Sequence, residues 1–140
     1  MAPVESSPFP SVQIEHLALW THDLERSRRF YETYLGARAG ARYHNPRRGF
    51  YSYFLSFDTG ARLELMQLPG IPTNANDVDR QATGFIHFAL SLGSEPAVDA
   101  LTERLRGDGY RVVSDPRRTG DGYYESCVLD LDGNRIELTV

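Results

Sequence analysis

At 140 residues, with 41% hydrophobic and 24% charged residues, the chain suits one globular domain or two small packed modules and is long enough to bury a core. A formal net charge of −4 gives no electrostatic reason to bind a polyanion, and no apolar run is long enough for a bilayer, so neither a nucleic-acid nor a membrane partner is expected. All 15 basic residues are arginine, which excludes Schiff-base lysine chemistry, and the single Cys127 excludes an intrachain disulfide or a CxxC pair and agrees with a cytoplasmic location.

Residues 1–11 are rich in Pro and Ser and carry no apolar run, so they read as a flexible tail and not as a signal peptide. Gln13 to Trp20 reads as a strand. Asp23 is placed to cap a helix whose apolar face is Leu24, Ser27, Phe30, Tyr31, Tyr34 and Leu35, with Gly36 as its stop. Ala37 to Tyr43 is expected as a short strand, followed by turn chemistry at Pro46-Arg47-Arg48-Gly49. Phe50 to Phe57 and Ala61 to Leu68 are expected as strands joined through Asp58-Thr59-Gly60. Residues 69–84, rich in Pro, Asn and Asp, read as a linker or as a loop that also covers a site. The order then repeats: a strand over Phe85 to Leu92, and a helix capped by Ser94 with Val98, Leu101 and Leu105 on one face. A short strand over Tyr110 to Val113 follows, then a hairpin of Tyr123 to Asp130 and Asn134 to Val140.

The repeat is chemical as well as structural. Each half, 12–68 and 85–140, has the order βαβββ, opens with a His on a strand and closes with Gly-x-Arg-aliphatic-Glu-Leu. His16 to Glu64 spans 48 positions and His87 to Glu137 spans 50. Side chains alternate across a strand, so His16, Glu64, His87 and Glu137 all fall on the faces opposite the leucines that meet the helices. A lone His or Glu on a strand is usually a satisfied or solvated residue. Four at equivalent positions of a repeat point instead to one divalent cation held by two imidazoles and two carboxylates.

His16-Leu17-Ala18-Leu19, the stretch Asp23 to Tyr31, Leu35-Gly36 and the close Asp132-Gly133-Asn134-Arg135-Ile136-Glu137-Leu138 resemble the vicinal oxygen chelate superfamily. That superfamily includes glyoxalase I, bleomycin-resistance proteins and extradiol dioxygenases. The resemblance covers residues 12–140 and implies an α+β fold: two paired βαβββ modules forming a curved, eight-stranded, metal-binding cup. Its ligand set matches bacterial glyoxalase I, with His16, Glu64, His87 and Glu137 as metal ligands. It implies one Ni or Zn ion per site, Lewis-acid assistance to proton transfer next to a carbonyl, Glu137 as the base and Glu64 as its symmetry mate. The implied substrate is a small molecule, the hemithioacetal of a 2-oxoaldehyde and a thiol. Glu64 leads into Leu65-Met66-Gln67-Leu68, where glutathione enzymes have an Asn-containing segment, so the thiol cosubstrate is left as glutathione or another thiol. The alternatives are a binding protein of the same fold that sequesters a drug or metabolite, or another metal-dependent member, a thiol transferase or a dioxygenase.

Other residues have weaker claims. Arg47, Arg48, Arg117 and Arg118 are assigned to loops, either solvated or receiving an anionic substrate. Arg62 and Arg135 flank the ligands and are expected to orient their carboxylates. Trp20, Phe50 and Tyr124 are read as core packing ahead of a pocket wall, His22 and His44 as surface residues, and Cys127 as buried filler. Modules of this kind can pair within a chain or between chains. The aromatics around Phe30, Tyr31 and Tyr34 favour a homodimer.

Overall fold

The computed structural model describes residues 8, 9 and 11–140; the expected tail over 1–11 falls mostly outside them. The first half forms β1 (His16–Trp20), α1 (Leu24–Leu35), β2 (Arg38–Ala39), β3 (Tyr43–Asn45), β4 (Phe50–Ser56) and β5 (Arg62–Gln67). The second forms β6 (His87–Ser91), α2 (Glu95–Gly107), β7 (Val112–Arg118), β8 (Tyr124–Leu129) and β9 (Arg135–Thr139). The strands make two sheets, ordered β1-β5-β4-β2 with β3 also on β4, and β6-β9-β8-β7. In each half the first strand lies parallel to the last, and the remaining pairings are antiparallel. This is a mixed α+β fold in which strand, helix and further strands recur in the same order, with five strands in the first half and four in the second.

Local chemistry sets the helix ends. The Arg26 N–H donates to Asp23 Oδ1 at 3.0 Å, which satisfies one orphan donor of the first turn of α1. Gly36 ends α1 in the left-handed region, at φ 65°, where a Cβ would be strained. Ser94 caps α2 by accepting from the Ala97 N–H. Leu24, Ser27, Phe30 and Tyr31 of α1 are buried with Leu55, Leu63 and Leu65 of the sheet beneath. Val98, Thr102 and Leu105 of α2 are buried with Val128, Ile136 and Leu138. The buried apolar residues form one cluster, each large side chain contributing about 1.5–3 kcal/mol.

Two departures from the sequence reading have a physical cause. The expected strand Ala37 to Tyr43 is two strands, because Arg38 pairs with Ser56 while Tyr43 pairs with Ser52. From Ala39 opposite Leu55 to Tyr43 opposite Ser52, five residues on one side oppose four on the other, and the surplus residue interrupts the ladder between Gly40, whose N–H still donates to the Phe54 carbonyl, and Tyr43. The described chain therefore has nine strands where eight were expected. The strand expected to end at Val113 runs on to Arg118, through Pro116. It is an edge strand, so the missing proline N–H breaks no ladder, and its register shifts between Ser114 and Arg117. Arg117 and Arg118 thus lie on a strand and not in a loop, and Arg118 pairs with Glu95.

The halves are joined through α1. The Tyr31 hydroxyl donates to Asp130 Oδ2 at 2.6 Å and the Tyr34 hydroxyl to Asp108 Oδ2 at 2.6 Å. Phe30 packs on Tyr110 with ring centroids 4.9 Å apart. The aromatics taken as a reason for a homodimer are therefore spent inside the chain. No ladder joins β1 to β6, yet both edge strands line the same two clefts. One cleft, of about 420 Å³, opens on the leucine side, and the other, of about 340 Å³, contains His16 and His87. No helix is long and apolar enough to cross a membrane among the described residues.

Candidate metal centre

The parallel ladders place the candidate ligands identically in both halves. His16 stands opposite Arg62 and Glu64 opposite Ala18; His87 stands opposite Arg135 and Glu137 opposite Ala89. Each His is therefore two positions along the ladder from its Glu, on the same face. His16 Nε2 lies 3.9 Å from Glu64 Oε1, and His87 Nε2 lies 3.1 Å from Glu137 Oε1. Two adjacent donors on one zinc-like ion stand about 3 Å apart, so each pair has a separation near that needed to share a cation. The structure brings the four residues together as two pairs. His16 and His87 share the smaller cleft, but no three His, Cys, Asp or Glu side chains form a metal-sized group among the described residues.

The two pairs differ in their surroundings. Glu15 accepts from His16 Nδ1, which fixes the proton there and leaves Nε2 free as a donor toward a cation. The same carboxylate takes the Arg62 Nε–H at 2.6 Å, and the two bonds, His16 first, hold Glu15 below the usual carboxylate range. His16 also sits edge-on to Phe54 at 5.2 Å, and Arg62 lies over the same ring. Arg62 therefore binds Glu15 and not the candidate ligand Glu64. In the second pair, burial pushes the Glu137 carboxyl up; the positive field of His87 opposes this, and Glu125 adds to the rise. Among the described residues Arg135 pairs with no carboxylate; its Nη2 donates to the Asp77 carbonyl at 3.2 Å.

The remaining sequence candidates fall as follows. Trp20 and Phe50 meet edge-on at 6.2 Å on the first sheet, and Trp20 is exposed, so it is not a core residue. The Tyr124 hydroxyl donates to Asp99. His22 and His44 are exposed as expected, with His44 stacked on Tyr51. Arg47 and Arg48 lie in the β3–β4 turn. Cys127 stands opposite Glu137 on the ligand face, half-buried, and burial raises its thiol. It faces the site and is not filler beneath the helix. Sequence reasoning missed Glu15, which holds His16, Asn76, which lines the cleft, and Asp77, whose carbonyl accepts from Arg135. Adjacency to His16 was the one signal that pointed to Glu15.

Comparison with known proteins places the chain in a family. The description Glyoxalase/Bleomycin resistance protein/Dioxygenase superfamily matches residues 13–138. Uncharacterized protein YqjT of Bacillus subtilis is 29% identical over 128 residues, covering 89% of this chain and 96% of that protein. The lactoylglutathione lyase of Haemophilus influenzae is 29% identical over 130 residues, covering 90% of each. A solved glyoxylase/bleomycin resistance protein/dioxygenase domain from Frankia superposes with a TM-score of 0.77, covering 93% of this chain and 98% of that one; at 22% identity it speaks for the fold alone. The chain belongs to the glyoxalase/bleomycin resistance protein/dioxygenase superfamily.

Proposed function

We propose that the protein is a metal-dependent lyase or isomerase of glyoxalase type, acting on the hemithioacetal of a 2-oxoaldehyde and a thiol. Members of this superfamily usually bind a metal and many are enzymes. The observation that carries the reading is the repeated pair: a His and a Glu at the same ladder register in both sheets, on the face opposite the helices. His16, Glu64, His87 and Glu137 would hold the ion, Ni²⁺ or Zn²⁺, once the two pairs meet, either by closure within one chain or by pairing with a second copy. The bound ion supplies Lewis-acid polarisation of the substrate's oxygens. Glu137 takes the proton from the carbon beside the carbonyl and returns it to the neighbouring carbon. Glu64 holds its position as the symmetry-related carboxylate. Glu15 keeps the His16 ring oriented through Nδ1.

The test is metal analysis of the purified protein, followed by a hemithioacetal assay with glutathione and with a second thiol after loading with Ni²⁺ or Zn²⁺. One ion per site and turnover that chelation abolishes support the enzyme. Absence of bound metal, with tight retention of a small molecule, supports the sequestering protein instead. Sedimentation with and without metal distinguishes a site closed in one chain from one shared by a homodimer.

A further inference from the structure

Arg62 and Arg135 occupy the same place in the two halves: each stands opposite the ligand His and two residues before the ligand Glu. Their partners differ. Arg62 has Glu15, the residue before His16, whose carboxylate takes both Nε and Nη2. The residue before His87 is Ile86, which offers no carboxylate. Arg135 is nevertheless the more deeply buried of the two, at 9% exposure, and its Nε has no hydrogen-bond partner among the described residues. Its one side-chain hydrogen bond among the described residues goes to the Asp77 carbonyl. A buried guanidinium without a counter-charge is costly, because its charge is desolvated and nothing repays the loss. Arg135 lines the 340 Å³ cleft that also contains His16, His87, Asn76 and the almost fully exposed Phe85.

We infer that Arg135 is a specificity residue that receives a carboxylate of the substrate, in the position that Glu15 fills for Arg62. The inference rests on the proposed function for the reaction and adds to it a substrate class: a molecule with an anionic carboxylate beside its reacting carbons. A guanidinium presents Nε–H and Nη–H in a fork that can take two carboxylate oxygens or, as on Arg62, converge on one, Glu15 Oε1, while Oε2 takes His16 Nδ1. The apolar residues of the cleft, Leu17, Leu19 and Phe88 among them, leave room for the body of such a molecule.

The experiment follows the Arg135 Nε–H resonance in a ¹⁵N–¹H spectrum, assigned by its loss in Arg135→Lys. The probes are phenylacetate and its neutral amide phenylacetamide; neither carries the vicinal oxygens that would chelate a cation. A saturable shift with phenylacetate alone is expected. Arg135→Gln should weaken phenylacetate binding by at least about 10-fold, the effect of removing one charged hydrogen-bond donor. Ile86→Glu, which copies the first half's arrangement into the second, should abolish binding while the backbone amide spectrum stays folded. Equal shifts with acid and amide, no shift, or undiminished binding in Ile86→Glu overturn the inference. A signal that follows protein concentration and ignores phenylacetate gives the guanidinium to a second copy and overturns it as well. Metal content is measured on the same samples, so loss of the metal reading and loss of this one are seen separately.

Discussion

In the first half of the molecule the candidate ligand histidine is preceded by an acid; in the second half it is preceded by an isoleucine. The backbones around the two positions pair in the same register. Glu15 orients His16 and neutralises Arg62, so the first half-site is electrostatically closed. The second has a His–Glu pair 3.1 Å apart, a second carboxylate near Glu137 and an arginine without an acid. The comparison teaches that a duplicated fold fixes where donors stand, while one residue beside them decides whether a half-site is self-sufficient or open to a ligand.

The largest expected effect tests whether the halves are equivalent in chemistry. In metal-loaded protein, Glu137→Gln should lower turnover by about 10²–10⁴-fold with the ion retained, because an amide oxygen can still ligate but takes no proton at neutral pH. Glu64→Gln should cost less. Equal losses would make the two carboxylates interchangeable and remove Glu137 as the specific base. The next effect concerns the bond between the halves. Asp130 is 7% exposed and accepts from the Tyr31 hydroxyl, the Asp132 and Asn134 N–H groups and Asn134 Nδ2. Asp130→Ala should lower stability by about 3 kcal/mol and Tyr31→Phe by about 1 kcal/mol, since the first strands several donors and the second one acceptor. Urea unfolding followed by the single Trp20 reads both values.

Smaller effects follow. Glu15→Gln should weaken metal retention by roughly 10-fold, measured by chelator competition, through loss of the group that orients His16. The matching change Ile86→Ala should leave retention unaltered. The smallest effect is a pH dependence. Burial raises the Asp130 carboxyl above its ordinary value, against the pull of the Tyr31 and Asn134 bonds. In the window between its unfolded and folded values the native state therefore holds more protons than the unfolded chain, so this group's contribution falls as pH rises through that window. The stability difference between wild type and Asp130→Asn, plotted against pH, should decline there and level off above it. A difference that rises with pH would reverse the assignment.

Much of this was legible in the chain because local chemistry wrote it. Asp23 and Gly36 bound α1, Ser94 starts α2, and period-2 alternation put the ligands on the face away from the leucines. The parallel pairing of first and last strands supplied what alternation alone lacked, the common register of each His and its Glu. Glu15 escaped notice because alternation assigned it to the opposite face from His16. The strand in fact begins at His16; Glu15 holds its first ladder bond through its carbonyl, which accepts the Arg62 N–H at 2.9 Å, while its side chain turns toward the ring. The isolation of Arg135 was not legible, since it depends on residue 77 of the connecting segment folding back over the second sheet. The aromatic cluster on α1 was misread as an outward surface because its partners, Asp108, Tyr110 and Asp130, lie some 75–100 positions away in sequence.

The pairing of first strand with last has a consequence in time. Neither His meets its Glu until the whole of its half has been made, for β1 waits on β5 and β6 on β9. Closing a loop of that length is entropically slow compared with forming either helix. During synthesis the first half can complete its ladder while the second is still emerging, because translation is vectorial. A partly made chain thus displays one finished donor pair and no second, and after a cut anywhere between β1 and β5 only the ladder between those strands, and no covalent link, keeps His16 beside Glu64.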